Sequence, residues 1–127
     1  MRYLLDTHVA KWALDDVSKL SSTAKTVIGD TSYNLCVSVV SAWEIAIKIS
    51  IGKLNFAAGS AFFLEKLQQL GVEIIRIEGS HVECLENMPF IHRDPFDRLI
   101  IATAITENMT IITADKNIQK YKVPWVW

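Results

Sequence analysis

Short runs in which apolar residues stand at consecutive positions constrain this chain more than any other feature. Tyr3-Leu4-Leu5, Cys36 to Val40, Ile74 to Ile77 and Thr110 to Thr113 are such runs, and Val123 to Trp127 is a short fifth. Strands of this kind suit a sheet covered on both faces, and strands separated by helices suit a parallel sheet. The intervening segments carry helical patterns. His8 to Leu14 places Val9, Trp12 and Ala13 on one face, and Ser41 to Ile51 runs until Gly52 stops it. Ser22 to Gly29 and Ser60 to Leu70 read as further helices, the latter closed by Gly71. Ser80 to Asn87 is a helix opened by Ser80 and Glu83 at capping-box spacing, and Leu99 to Ile105 is the apolar body of another. Leu54 to Gly59 is the flexible connection that the pattern predicts.

At 127 residues the expectation is one domain over 1–127, large enough to bury roughly two-thirds of its unfolded surface. Half of the residues are hydrophobic, so part of the apolar surplus is expected to cover a subunit or partner interface. Trp12, Trp43, Phe62, Phe63, Trp125 and Trp127 are the candidates, with ordinary core as the alternative for each. No signal-like segment opens the sequence and no apolar run approaches the ~20 residues of a membrane span. The expected compartment is the cytoplasm. Cys36 and Cys84 form no CxxC pair and read as buried free thiols. A net charge of −1 excludes a generally basic nucleic-acid binder, so a polyanion would need a local patch and bound cations.

Four acids stand beside the apolar runs: Asp6, Glu44, Asp97 and Asp115. Ligands of parallel sheets bind outside the carboxyl ends of the strands, where these acids are expected. Each also has a purely structural reading. Asp6 or Thr7 can cap a helix, Glu44 follows Ser41 at capping-box spacing, and Asp115 closes a strand at a turn. In Asp94-Pro95-Phe96-Asp97-Arg98, Asp94 is a ready N-cap with Pro95 at the first helical position. That explains Asp94 better than Asp97, which can pair with Arg98 or face solvent. Together the four are harder to dismiss. Two carboxylates ~4 Å apart repel by about 4 kcal/mol at an effective dielectric of ~20, so a cluster calls for a counter-cation. All-oxygen ligation favours Mg²⁺ or Mn²⁺.

Other constellations carry less. His8, His81 and His92 have no metal-ligand spacing and read as surface or supporting groups, with His8 placed to face the same cleft as Asp6. No P-loop, GxGxxG or GxSxG occurs. Lys11, Lys48, Arg93, Arg98 and Lys116 lie near the acids and are candidates for guiding a polyanion, against the reading of solvated surface charge.

Tyr3-Leu4-Leu5-Asp6-Thr7-His8, Ser41-Ala42-Trp43-Glu44-Ile45, the block from Asp94 to Ala104 and Ile112-Thr113-Ala114-Asp115 together resemble a PIN domain of the VapC toxin type. The likeness spans essentially the whole chain. It implies a three-layer α/β/α fold around a parallel sheet, and a metal-dependent endoribonuclease serving as the toxin of a toxin–antitoxin pair, with 5′-phosphate and 3′-hydroxyl products. By the same resemblance Asp6, Glu44, Asp97 and Asp115 match the family's acidic quartet, Asp6 and Asp97 as the main ligands of Mg²⁺ or Mn²⁺. Thr113 matches a hydroxyl that accompanies the last acid, with Thr7 and Asp94 in supporting parts. A homodimer restrained by a small antitoxin is the implied assembly. Two other readings stay open: a partner-binding module whose acidic pocket receives an antitoxin's Arg or Lys, and a metal-dependent DNA nuclease.

Overall fold

The structure is a computed structural model that describes residues 1–56 and 59–127. Ala57 and Ala58, inside the connection predicted at Leu54 to Gly59, lie outside the described residues. The chain runs β1 (Arg2–Leu5), α1 (Thr7–Asp15), α2 (Ser22–Gly29), β2 (Asn34–Ser38), α3 (Val39–Ser50), α4 (Gly59–Gln69) and β3 (Glu73–Ile75). It continues with α5 (Gly79–Asn87), α6 (Pro95–Glu107), β4 (Thr110–Ile112) and β5 (Trp125–Val126). Short 3₁₀ turns occupy Val17–Lys19 and Ile118–Lys120.

All pairings are parallel and the sheet order is β3-β2-β1-β4-β5. The chain winds outward from β1 through β2 to β3, then returns past β1 to lay down β4 and β5. The reversal lies between β1 and β4, where a crevice opens at the carboxyl ends of the strands.

The strand sequences decide the layers. In β1, Tyr3 and Leu5 face a core shared with Val9 and Ala10 of α1, Ala42 and Ile45 of α3, and Phe63 and Leu67 of α4. Leu4 faces the opposite core, built on Ile100, Ile101 and Ala104 of α6 with Met109 and Ile111. Successive strand residues point to opposite faces, so an unbroken apolar run supplies both cores at once. The expected α/β/α arrangement with a central parallel sheet is what forms.

Several boundaries differ from expectation. β2 ends at Ser38 rather than Val40, because the Ser38 hydroxyl accepts from Val40 N–H at 3.1 Å and starts α3 there. Ser41 and Glu44 therefore lie inside the helix and form no capping box. α5 opens at Glu78, whose N–H donates to His81 Nδ1 at 3.0 Å, so Ser80 and Glu83 are not its cap either. His81 is buried, with Nε2 2.8 Å from Glu107 Oε1 on α6; it is a packing element, not a surface group. Cys36 is buried as expected, but Cys84 is only partly so. α6 ends on Asn108 in the left-handed region (φ 59°), a role open to Asn without the strain other side chains meet.

Of the six aromatic candidates, Phe63 is core, while Trp12 and Trp127 pack against each other with ring centroids 6.0 Å apart. Trp43, Phe62 and Trp125 remain exposed. No helix among the described residues is long and apolar enough to cross a membrane.

Candidate metal centre

The parallel sheet delivers the acids to one edge. Asp6 directly follows β1 and caps α1, its Oδ1 accepting from Val9 N–H at 2.8 Å. β2 ends in α3, which carries Glu44 in its second turn. β4 leads into Thr113 and Asp115. α6 hands its last turn to the start of β4, so its first turn, with Asp97, lies back at the carboxyl edge. Asp94 caps α6 as expected, its Oδ1 accepting from Phe96 and Asp97 N–H at 2.9 and 3.0 Å, with Pro95 opening the helix.

A cleft of about 240 Å³ opens here, lined by Asp6, His8, Trp12, Ala114 and Asp115. His8 is exposed at this cleft, the position its spacing from Asp6 predicts. Glu44 and Asp97 are not among the cleft's lining residues, yet electrostatics join them to it. Burial pushes Asp6 up to about 6, with smaller upward contributions from the charges of Asp115 and Glu44, against hydrogen bonds from Thr113 and Val9. Burial likewise pushes Asp97 up to about 7, with His92 opposing and Asp94, Asp115 and Glu44 adding repulsion. Asp115 and Glu44 thus act on both carboxylates.

The supporting hydroxyls have defined parts. Thr113 Oγ1 accepts from Asp115 N–H at 3.0 Å and hydrogen-bonds Asp6, so it links the ends of β1 and β4. The Thr7 hydroxyl donates to Ser41 Oγ at 2.9 Å and ties the start of α1 to α3. Asp115 also accepts from Asn117 N–H through Oδ1, the turn role foreseen for it.

The residues fit a hard divalent cation in their chemistry. All four acids offer oxygen, and Glu44 is buried with Oε1 lacking a hydrogen-bond partner among the described residues. A buried carboxylate oxygen without a partner is costly, and a cation relieves that cost together with the repulsion among the acids. The donors are not drawn into a finished cage: among the described residues no three His, Cys, Asp or Glu side chains stand close enough to hold a metal ion.

The basic candidates divide. Arg98 is buried, its Nη1 donating to Pro89 O and to Tyr121 Oη at 3.0 Å each, with the guanidinium 4.8 Å above the Phe90 ring. It is therefore withdrawn from the set that could touch RNA, and it does not pair with Asp97. Lys48 Nζ lies 2.7 Å from Glu44 Oε2, and Lys11 pairs with Asp15. Arg93 and Lys116 are exposed.

His92 is the residue that sequence reading undervalued. Its Nε2 is 3.2 Å from Asp97 Oδ2 and its Nδ1 2.8 Å from Tyr121 Oη. The available signal was its place five residues before Asp97, but no spacing rule joins an extended segment to the turn that follows it.

The PIN domain family model matches residues 3–124. Ribonuclease VapC22 of Mycobacterium tuberculosis (strain ATCC 25618 / H37Rv) is 30% identical over 122 residues, which is 95% of this chain and 92% of that protein. Among solved structures, VapBC2 from Rickettsia felis bound to a DNA fragment from their promoter superposes with a TM-score of 0.75 at 16% identity. The match covers 99% of this chain and 98% of that one. FitAcB from Neisseria gonorrhoeae gives a TM-score of 0.64 at 17% identity, covering 98% and 96%. At such identities the structural likeness speaks for the fold alone. The family match spans nearly the whole chain and agrees with the strand order and the acidic edge just described, and this protein belongs to the PIN domain family.

Proposed function

We propose that this protein is a Mg²⁺- or Mn²⁺-dependent endoribonuclease, the toxin of a type II toxin–antitoxin pair, acting as one nuclease domain over 1–127. The observation that carries the reading is that Asp6, at the end of β1, and Asp97, in the first turn of α6, share Asp115 and Glu44 as charged neighbours. Asp6 is buried and Asp97 half-buried, and each is raised chiefly by burial, with smaller contributions from the same two neighbours, Asp115 and Glu44. The 30% identical relative that bears the name ribonuclease supports RNA as substrate. A toxin–antitoxin complex from Klebsiella pneumoniae is another structural neighbour, with a TM-score of 0.62 at 18% identity, and it supports a small antitoxin as partner. The cytoplasm is the proposed compartment and a homodimer the proposed assembly, with exposed Trp43 and Trp125 available to it.

Asp6 and Asp97 would hold the ion, completed by Glu44 and Asp115. When bound, it supplies activation of water for in-line attack on a phosphodiester and neutralises charge on the phosphate and leaving oxygen. The protein's own work is positional. Thr113 keeps Asp6 and Asp115 in register across the β1–β4 crevice, and Thr7 with Ser41 fixes α3 and hence Glu44. Arg93 and Lys116, exposed near the acids in sequence, are the basic residues left to guide RNA.

A second reading has an observation of its own. Lys48 already donates to Glu44 Oε2, so one acid of this edge is matched by a basic side chain, as it would be by an antitoxin's Arg or Lys. The two readings separate in one experiment: purified, antitoxin-free protein is given matched single-stranded RNA and DNA with Mn²⁺, with Mg²⁺, and with chelator. RNA cleavage that needs the metal is expected. Binding of antitoxin with no metal-dependent cleavage would favour the partner-binding module, and equal or preferred DNA cleavage would make the protein a DNA nuclease.

A further inference from the structure

His92 lies in the extended segment between α5 and α6, and its ring bridges two acid-bearing parts of the fold. On one side is Asp97, in the first turn of α6. On the other is Tyr121, which directly follows the 3₁₀ turn Ile118–Lys120 in the segment that begins with Asp115. Both ring nitrogens are therefore engaged, and the ring is largely buried, with 12% of its side chain exposed.

Tyr121 decides where the ring proton sits. Its oxygen accepts from Arg98 Nη1 at 3.0 Å and from His92 N–H at 3.3 Å, and both of those groups can only donate. The single phenolic hydrogen is left for His92 Nδ1, 2.8 Å away. An Nδ1 that accepts carries no proton, so the neutral ring bears its hydrogen on Nε2, which faces Asp97 Oδ2 at 3.2 Å. Arg98 is itself held by Pro89 O and stacked on Phe90, so the chain from Arg98 through Tyr121 and His92 to Asp97 starts from a fixed base.

We propose that His92 is a positioning residue for Asp97: its Nε2–H holds Oδ2 and fixes the carboxylate plane, leaving Oδ1 for a divalent cation. The inference rests on the metal-dependent reading of the site given above. It assigns Tyr121 and Arg98 the task of setting the His92 tautomer, which explains why a buried arginine stands so near an acidic cluster without pairing with it. Outer hydrogen bonds that orient a ligating carboxylate commonly govern metal affinity by roughly 10–100-fold.

The test is Mn²⁺ titration by calorimetry of the wild-type protein and of His92→Ala, His92→Gln and His92→Asn. Thermal unfolding of each metal-free protein is run alongside as the control for fold. Gln can place an amide N–H near the Nε2 position and keep the donor to Asp97, whereas Asn reaches only the Nδ1 side. The expected result is Mn²⁺ affinity near wild type in His92→Gln and a loss of roughly 10–100-fold in both His92→Ala and His92→Asn. In the metal-free wild type, ¹⁵N spectra of the imidazole should show the Nε2–H tautomer. Undiminished affinity in folded His92→Ala, or affinity kept by Asn and lost by Gln, overturns the inference while leaving the metal site standing. A wild-type ring protonated on Nδ1 overturns it as well. A folded wild type that binds no Mn²⁺ overturns the metal reading itself, and this inference with it.

Discussion

Lys48 Nζ stands 2.7 Å from Glu44 Oε2, one turn further along α3, and Glu44 Oε1 is left buried without a hydrogen-bond partner among the described residues. Glu44 is therefore half-compensated: one oxygen has a cation from its own helix, and the other has no such partner among the described residues. Lys48 is partly exposed (37%), so the pair is worth less than a fully buried one.

Replacing the lysine isolates that relationship. Lys48→Met is expected to destabilise the metal-free protein by about 1–2 kcal/mol, because the Glu44 carboxylate loses its partner while its burial is unchanged. Added Mn²⁺ should raise the thermal midpoint of this variant more than that of the wild type. A midpoint equal to wild type without metal would show that Lys48 contributes no compensation.

The aspartates predict a pH dependence with a definite sign. Asp6 and Asp97 are raised from 3.8 to about 6 and about 7, so the folded metal-free protein holds protons that the unfolded chain releases. The stability this provides is complete below about pH 4 and is lost as pH rises through 6 and 7. Denaturant melts of metal-free protein should show this contribution falling by a few kcal/mol between about pH 5 and pH 8. With Mn²⁺ present the loss should shrink, because a cation favours the ionised acids. In Asp97→Asn the metal-free protein should lose much of the decline.

Asp6→Asn and Asp97→Asn are expected to abolish RNA cleavage, by more than the roughly 10–100-fold typical of disturbing an outer partner. The fold should survive. An Asn at position 6 still offers an oxygen to Val9 N–H at the start of α1, and an Asn at position 97 still accepts from His92. Near-wild-type cleavage in either variant would remove that residue from the site.

The basic residues should separate by burial. Arg98→Ala removes hydrogen bonds to Pro89 and Tyr121 and the stacking on Phe90, so it should cost roughly 2–4 kcal/mol of stability. Arg93→Ala and Lys116→Ala should leave stability within about 0.5 kcal/mol and weaken RNA binding, each reducing the salt dependence by about one ion. RNA affinity measured at several salt concentrations, with thermal unfolding alongside, checks both halves of this division.

Apolar runs in the sequence were enough for the layered α/β architecture, because a strand covered on both faces cannot alternate with polar residues. Asp94 and Pro95 likewise announced the start of α6, since capping depends on residues next to each other in the chain. The start of α3 was misplaced for a related reason. Ser38 and Ser41 are both capable caps, and only the register of β2 on β1 and β3 decides between them.

By itself, then, the sequence determined the fold class, the helix-opening chemistry of Asp6 and Asp94, and the four acids at the ends of apolar elements. All of these follow from local periodicity and from side chains acting on their own backbone. Tertiary structure alone decided the rest. It buried Arg98, left one Glu44 oxygen without a partner among the described residues, drove His81 into the interface between α5 and α6, and set His92 between Asp97 and Tyr121. Those outcomes depend on which distant segments share an edge of the sheet. Burial and hydrogen bonding across such distances have no signature in residue spacing.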